Sequence, residues 1–220
     1  MRLEDIRYIG ISGIIGAGKT TLTRQLSERL GVDVAYEPVE TNPYLTDFYR
    51  DRNRWAFEMQ MFLLVQRYVQ HQGIVWSGRR TVQDRTVWED TIFAEIQHED
   101  GHIDERSYAT YRDIFEAFRH LLVFPDLFLY LRVEPETALE RVKQRGRVAE
   151  QASQGVDLAY LERLYEGYEE FFSEMKWYTT VLTIDWNGYG SVDSVLDSIR
   201  SAAGNAAVHN GKFGRTLRRP

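Results

Sequence analysis

The residues Gly13-Ile14-Ile15-Gly16-Ala17-Gly18-Lys19-Thr20 follow the pattern G-x-x-x-x-G-K-[ST]. Each residue type has a physical use at that spacing. Glycines let successive backbone N–H groups turn toward one centre and approach a polyphosphate closely. Lys19 brings a compact charge to the terminal phosphates, and the Thr20 hydroxyl suits a magnesium ion. The helix beginning at Lys19 adds its positive dipole end. Gly13, Gly16, Ala17, Gly18, Lys19, Thr20 and Thr21 are therefore the expected phosphate site. The pattern implies nucleotide binding without naming a reaction.

Phosphoryl transfer needs a group to take the acceptor's proton and cations over the moving group. Glu37 follows the second expected strand and is placed to be that base. Asp84-Arg85 end the third. Asp84 could hold a magnesium ion beside Thr20, partly through water, and Arg85 could clamp phosphate or position Glu37. Read singly, each could equally be a surface ion at a strand end. Three strands that end in ligand-type residues on one edge favour a site, because open α/β sheets bind ligands at the carboxyl ends of their strands. Further on, Arg141, Lys143, Arg145 and Arg147 alternate, and the segment 145–155 is polar with little helical periodicity. It fits a lid that brings Arg145 and Arg147 onto the phosphates and excludes water, although a solvated helix end would look the same.

Other patterns are read as structural. Asp185-Trp186-Asn187-Gly188 has a D-x-x-G form but follows the last expected strand, so it is a turn. None of the four lysines lies in an [NT]-K-x-D motif, which argues against a GTPase switch. His98 and His102 flank Glu99-Asp100-Gly101 and read as a surface loop, not a metal pair.

The elements that must hold these residues are legible in the apolar pattern. Tyr8–Ser12, Val32–Tyr36, Thr81–Gln83, Leu127–Leu131 and Thr180–Ile184 read as strands. Helices are expected from Thr20 to a Gly31 cap, over Trp55–His71, 88–98 and 107–120, from Pro135, over Leu158–Met175 and over Val192–Ala202. Such alternation predicts an α/β fold, a doubly wound parallel sheet of about five strands. One domain over 1–203 is expected, with a lid at 145–155 and a basic, disordered tail at 204–220. The 220 residues carry a net charge of −6 and no cysteine. Disulfides and thiolate metal sites are thereby excluded. The acidic balance argues against nucleic acid as a partner. No apolar stretch is long enough to span a membrane, and no signal-like segment opens the chain, so a cytoplasmic location is expected.

Taken together, these motifs resemble the deoxynucleoside kinases, especially the bacterial deoxyadenosine and deoxyguanosine kinases. The phosphate loop is joined, in order, by Tyr36-Glu37-Pro38-Val39-Glu40, Asn42-Pro43-Tyr44-Leu45, Phe48-Tyr49 with Gln60, Gln83-Asp84-Arg85-Thr86, Glu89-Asp90 and Gln144-Arg145-Gly146-Arg147. The resemblance covers roughly residues 7–185. It implies a P-loop kinase fold, ATP and Mg²⁺ as cofactors, a small-molecule deoxynucleoside as substrate, and a homodimer. By the same resemblance, Glu37 looks like the base for the nucleoside 5′-hydroxyl. Arg85 looks like the arginine contacting that hydroxyl and the phosphoryl group. Tyr49 and Glu150 are similar to the pair that binds the sugar 3′-hydroxyl. Gln60, Arg67 and Asp90 are similar to the residues that bind the base.

Physical reasons stand beside these assignments. A tyrosine packed near C2′ leaves little room for a 2′-hydroxyl. Gln60 and Arg67, seven residues apart, share one side of a helix, and an amide beside a cation–carboxylate pair matches a purine edge. Arg67 and Asp90 could equally be a structural ion pair. The animal multisubstrate enzymes carry a tryptophan shortly after Glu-Pro; here Glu40-Thr41-Asn42-Pro43 stands instead, which favours a purine. Trp88 could line the pocket or belong to the core. By resemblance, the run Glu89-Asp90-Thr91 with Phe93-Ala94 looks more like the deoxyadenosine than the deoxyguanosine kinases, which implies deoxyadenosine as substrate. Alternatives are a deoxyguanosine or deoxycytidine kinase, a nucleoside monophosphate kinase, or a nucleotide-binding regulator without activity. Tyr165, Tyr168, Phe171 and Phe172 recur at helical spacing and read as core or dimer packing.

Overall fold

The five strands form one sheet in the order β2-β3-β1-β4-β5, with every neighbouring pair parallel. The computed structural model describes residues 3–39, 41–146 and 155–209, with side chains to 202. At the centre lies β1 (Tyr8–Ser12), where Ile11 stands opposite Asp84 on one side and Leu129 on the other. Its neighbours are β3 (Thr81–Asp84) and β4 (Leu127–Arg132), with β2 (Asp33–Ala35) and β5 (Thr180–Asp185) outermost. All five residues of β1 and the first five of β4 are buried. That is the mark of parallel strands covered on both faces.

The covering helices follow from apolar spacing and from their caps. In α1 (Lys19–Leu30), Leu22 and Leu26 fall on one face and are buried. Gly31 ends it in a left-handed conformation, its N–H returning to the last turn. A short α2 (Leu45–Arg50) then leads into α3 (Arg52–Ser77), whose start is fixed by Asp51 accepting from the Arg54 N–H. The remaining helices are α4 (Asp90–Glu99), α5 (Glu105–Arg119), α6 (Pro135–Arg145), α7 (Leu158–Met175) and α8 (Val192–His209). Pro135 opens α6 as expected. Between α7 and the sheet, Tyr130 stacks on Phe172 with ring centroids 4.6 Å apart, and Tyr168 is also fully buried. Burying side chains of this kind contributes about 2 kcal/mol each and ties α7 to β4.

Three helices differ most from the sequence reading, and β2 is shorter than the expected Val32–Tyr36. The helix α2 was not expected, α3 is longer at both ends, and α8 runs to His209 instead of Ala202. Arg147, Glu150, the rest of the lid over 147–154, and residues 210–220 of the tail lie outside the described residues. Trp88 belongs to the core: it stacks on Phe124 and donates its indole N–H to the Val123 carbonyl. His98 and His102 each bond a neighbouring oxygen, of Ile103 and Asn53, and no metal-ligand cluster occurs among the described residues. Asn187 bonds the Asp185 carboxylate and closes the expected turn. Among the described residues no helix is long and apolar enough to cross a membrane.

Candidate active site

The carboxyl ends of β1, β3 and β2 lie side by side and deliver the phosphate loop, Asp84-Arg85 and the Glu37 segment to one edge. A cavity of about 680 Å³ opens there. Gly16, Gly18, Lys19, Thr20 and Thr21 form one wall. The loop glycines are required by space. A Cβ on Gly13 would stand 2.7 Å from the Leu131 carbonyl oxygen, and one on Gly16 would stand 2.4 Å from that of Ala138. Both have positive φ, a region side chains disfavour. Lys19 reaches back across the loop and donates to the Gly13 and Ile14 carbonyls at 2.9 and 3.0 Å. Burial, aided by Arg85, pushes its ammonium down to about 8.

Thr20 donates its hydroxyl to Asp84 at 2.5 Å. The other Asp84 carboxylate oxygen is buried and takes no hydrogen bond from the described residues. Burial raises the pKa of Asp84 against the pull of Lys19. A hydroxyl and an under-satisfied carboxylate side by side, next to the phosphate loop, are a donor set suited to a hard, oxygen-seeking cation such as Mg²⁺.

Glu37 stands at the middle of the cavity and keeps 17% exposure. Its Oε1 receives two arginines: Arg67 through Nη2 and Arg85 through Nε, the latter at 2.7 Å. Among the described residues, Oε2 takes no hydrogen bond. Burial alone would raise the Glu37 carboxyl. Arg85, then Arg67 and Lys19, more than reverse this and hold it at about 2. Arg67 also pairs with Asp90, so the expected Arg67–Asp90 pair is present and extends to Glu37. Asp90 lies behind Arg67, not in the cavity wall. Charges buried this deeply need partners, and these form a chain of alternating sign.

On the far side from the phosphate loop, α3 presents Gln60 and Arg67 to the cavity, as their spacing predicts. Gln60 is 3% exposed and its Oε1 has no partner among the described residues. A buried amide oxygen without a donor is costly unless a ligand supplies one. Tyr49, on α2, lines the same wall. Its segment is shaped by Asn42, which accepts from the Tyr44 N–H and donates to the Met59 sulfur at 2.9 Å each.

Several cavity residues escaped the sequence reading. Phe93 and Tyr160 line the acceptor side, and the Arg85 guanidinium lies 4.6 Å over the Phe93 ring. Tyr189, which that reading also missed, stands beside the phosphate loop with Arg141 and with Arg145, which was expected there. Arg141 is held over the Tyr189 ring at 3.8 Å and donates to the Trp186 and Asn187 carbonyls, so it is committed to the β5–α8 turn. Tyr189 carries a positive φ of 51°, the one local signal of a special position. Tyr168 also has more than the packing role expected for it, because its hydroxyl touches Arg85.

Comparison with known proteins bears on the family and the fold. A family model described as deoxynucleoside kinase matches residues 9–202. The chain is 40% identical over 194 residues to a deoxyadenosine kinase of Dictyostelium discoideum, covering 88% of this chain and 78% of that protein. It is 36% identical to a deoxyadenosine/deoxycytidine kinase of Bacillus subtilis, covering 88% and 91%. Among solved structures, deoxyadenosine kinase from M. mycoides with bound dCTP superposes with a TM-score of 0.78 at 31% identity, covering 88% of this chain and 99% of that one.

Proposed function

The chain belongs to the deoxynucleoside kinase family, and from that premise we propose that it transfers the γ-phosphoryl group of Mg·ATP to the 5′-hydroxyl of a purine deoxynucleoside, deoxyadenosine above others, for nucleotide salvage. The observation that carries this reading is one continuous cavity with the phosphate loop at one end, Gln60 and Arg67 at the other, and Glu37 between them.

The roles proposed for the described residues rest on where they stand in or against the cavity, and those of Arg147 and Glu150, which lie outside the described residues, rest on the family resemblance. Lys19, Thr21 and the loop N–H groups hold the phosphates, and Arg145 adds charge from the end of α6. Arg147 would join it from the lid. Thr20 and Asp84 would hold the magnesium ion, which when bound offsets phosphate charge. Glu37 Oε2 accepts the proton of the 5′-hydroxyl. Arg85 lies over the oxygens that gain charge and keeps Glu37 ionised. A carboxylate held this acidic is a weak base, and that suffices where the transition state is loose and little proton removal precedes transfer. Tyr49 packs near the sugar, with Glu150 as its partner on the 3′-hydroxyl. Gln60 and Arg67, backed by Asp90, read the base edge. A purine that engages Arg67 draws one of the two cations from Glu37 and raises its basicity as substrate binds.

A second reading is deoxycytidine as an additional substrate. The Bacillus subtilis relative is named for both, and adenine and cytosine each present an exocyclic amino donor that Gln60 Oε1 would accept. A homodimer is part of the same proposal: α3 turns Val65, Val69 and Trp76 outward, Trp76 at 80% exposure, and apolar faces of that kind suit a partner. A cytoplasmic setting is expected with it.

Glu37→Gln tests the chemistry. It keeps the shape and removes the base, so turnover falls by about 10²–10⁴-fold while ATP binding is retained. Near-normal turnover would remove Glu37 from its role.

A further inference from the structure

Arg85 is held more tightly than phosphate contact requires. Each of its guanidinium nitrogens has a different partner: Nε lies in ion-pair contact with Glu37 at 2.7 Å, Nη2 donates to the Gly13 carbonyl at 3.2 Å, and Nη1 donates to the hydroxyl of Tyr168. Its backbone adopts a φ of +59°, which is rare for a side chain of this size. The turn is pinned by the Arg85 N–H, which donates to the Ile11 carbonyl at 3.0 Å.

Behind Tyr168 stands Glu89, which is fully buried and absent from the cavity wall. Its Oε1 accepts from the Ser12 hydroxyl at 2.7 Å, the Thr86 N–H at 2.9 Å and the Thr86 hydroxyl at 3.2 Å. Its Oε2 accepts from the Tyr168 hydroxyl at 2.7 Å and lies 3.6 Å from Arg85 Nη1. The bonds to Thr86 cap the turn leading into α4. The bond from Tyr168 does not belong to that cap, since it comes from α7, 79 residues away. Tyr168 therefore accepts from Arg85 and donates to Glu89, a relay that fixes its hydroxyl in both directions. A long cationic side chain loses much freedom when one geometry is imposed on it, and a buried network of hydrogen bonds and ion pairs imposes that geometry.

We propose that Tyr168, oriented by Glu89, is a positioning residue that fixes the Arg85 guanidinium over the transferring phosphoryl group. The inference rests on the role given to Arg85 above. Tyr168 lies outside the cavity wall and touches the chemistry only through Arg85. Substrate affinity is therefore insensitive to its hydroxyl, and the rate of transfer is sensitive to it.

A double-mutant cycle on kcat separates positioning from packing. Tyr168→Phe lowers kcat about tenfold, the scale of a small misplacement, with KM for the nucleoside and Kd for Mg·ATP within about twofold. In an Arg85→Met background there is no guanidinium left to position, and the same substitution changes kcat by less than about twofold. Equal losses in both backgrounds, or an unchanged kcat in the single variant, would overturn the proposal. An Arg85→Met protein with normal turnover would instead sink the role of Arg85 itself. Should Tyr168→Phe lack a cooperative melting transition, Glu89→Gln takes its place in the cycle with the same expectations.

Discussion

Lys19 sits among opposing charges, and the balance has a sign that can be tested. Burial and Arg85 lower its pKa to about 8 despite Asp84, Glu37 and Glu89, so in the free protein its charge is maintained at a cost. Polyphosphate binding restores the proton. ATP affinity is therefore expected to weaken progressively as pH rises above about 8, by up to tenfold per unit. Calorimetric titration across that range measures it, and a Kd that stays flat up to about pH 9.5 would contradict the assignment. Asp90→Asn belongs to the same scale. It leaves Arg67 with Glu37 as its one remaining anion among the described residues, so KM for purine deoxynucleosides rises about 10–100-fold while ATP affinity is unchanged. At this scale the charged residues were readable, because Glu37, Asp84 and Arg85 end strands and strand ends meet at one edge. Phe93, Tyr160 and Tyr189 were not readable, since an aromatic side chain in a cavity wall has the same local pattern as one in the core.

The short helix α2 illustrates what a sequence pattern leaves out. It has six residues, fewer than two turns, so no periodicity can mark it. What holds it is Asn42, which ties the preceding turn to α3. Asn42→Ala removes these side-chain bonds, with the longer one to the Met59 carbonyl, and loosens Tyr49. The expected outcome is a severalfold rise in KM for the deoxynucleoside with kcat retained, and a loss of about 1 kcal/mol in denaturant stability. An unchanged KM would detach Asn42 from the sugar site. By contrast, α1 and α6 were legible in type and place, because a glycine cap and an N1 proline marked their ends. The extension of α3 to Arg52 was less so. Its start is set by Asp51 capping an otherwise polar, arginine-rich first turn, where apolar spacing gives no signal. On the buried side of α3, Gln60 and Arg67 face the cavity yet sit among apolar core residues that a core assignment alone would have explained.

For the whole molecule, parallel order was predictable from alternating strands and helices, whereas the relay from Glu89 through Tyr168 to Arg85 was not. It joins residues far apart in the chain, and only the packing of α7 on the sheet brings them together. The outward apolar face of α3 has a consequence of its own. Sedimentation should give twice the chain mass, and Val69→Asp should shift it toward the monomer; a monomeric parent protein would remove the proposed dimer. The central claim concerns the acceptor. The direct test is ADP release by the purified protein with Mg·ATP and, in separate reactions, deoxyadenosine, deoxyguanosine, deoxycytidine, thymidine, adenosine and AMP. The account predicts the highest kcat/KM on deoxyadenosine, with adenosine poor because Tyr49 crowds C2′ and AMP inert because its 5′-oxygen is already esterified. Absence of turnover on every nucleoside, with ATP binding intact, would contradict it.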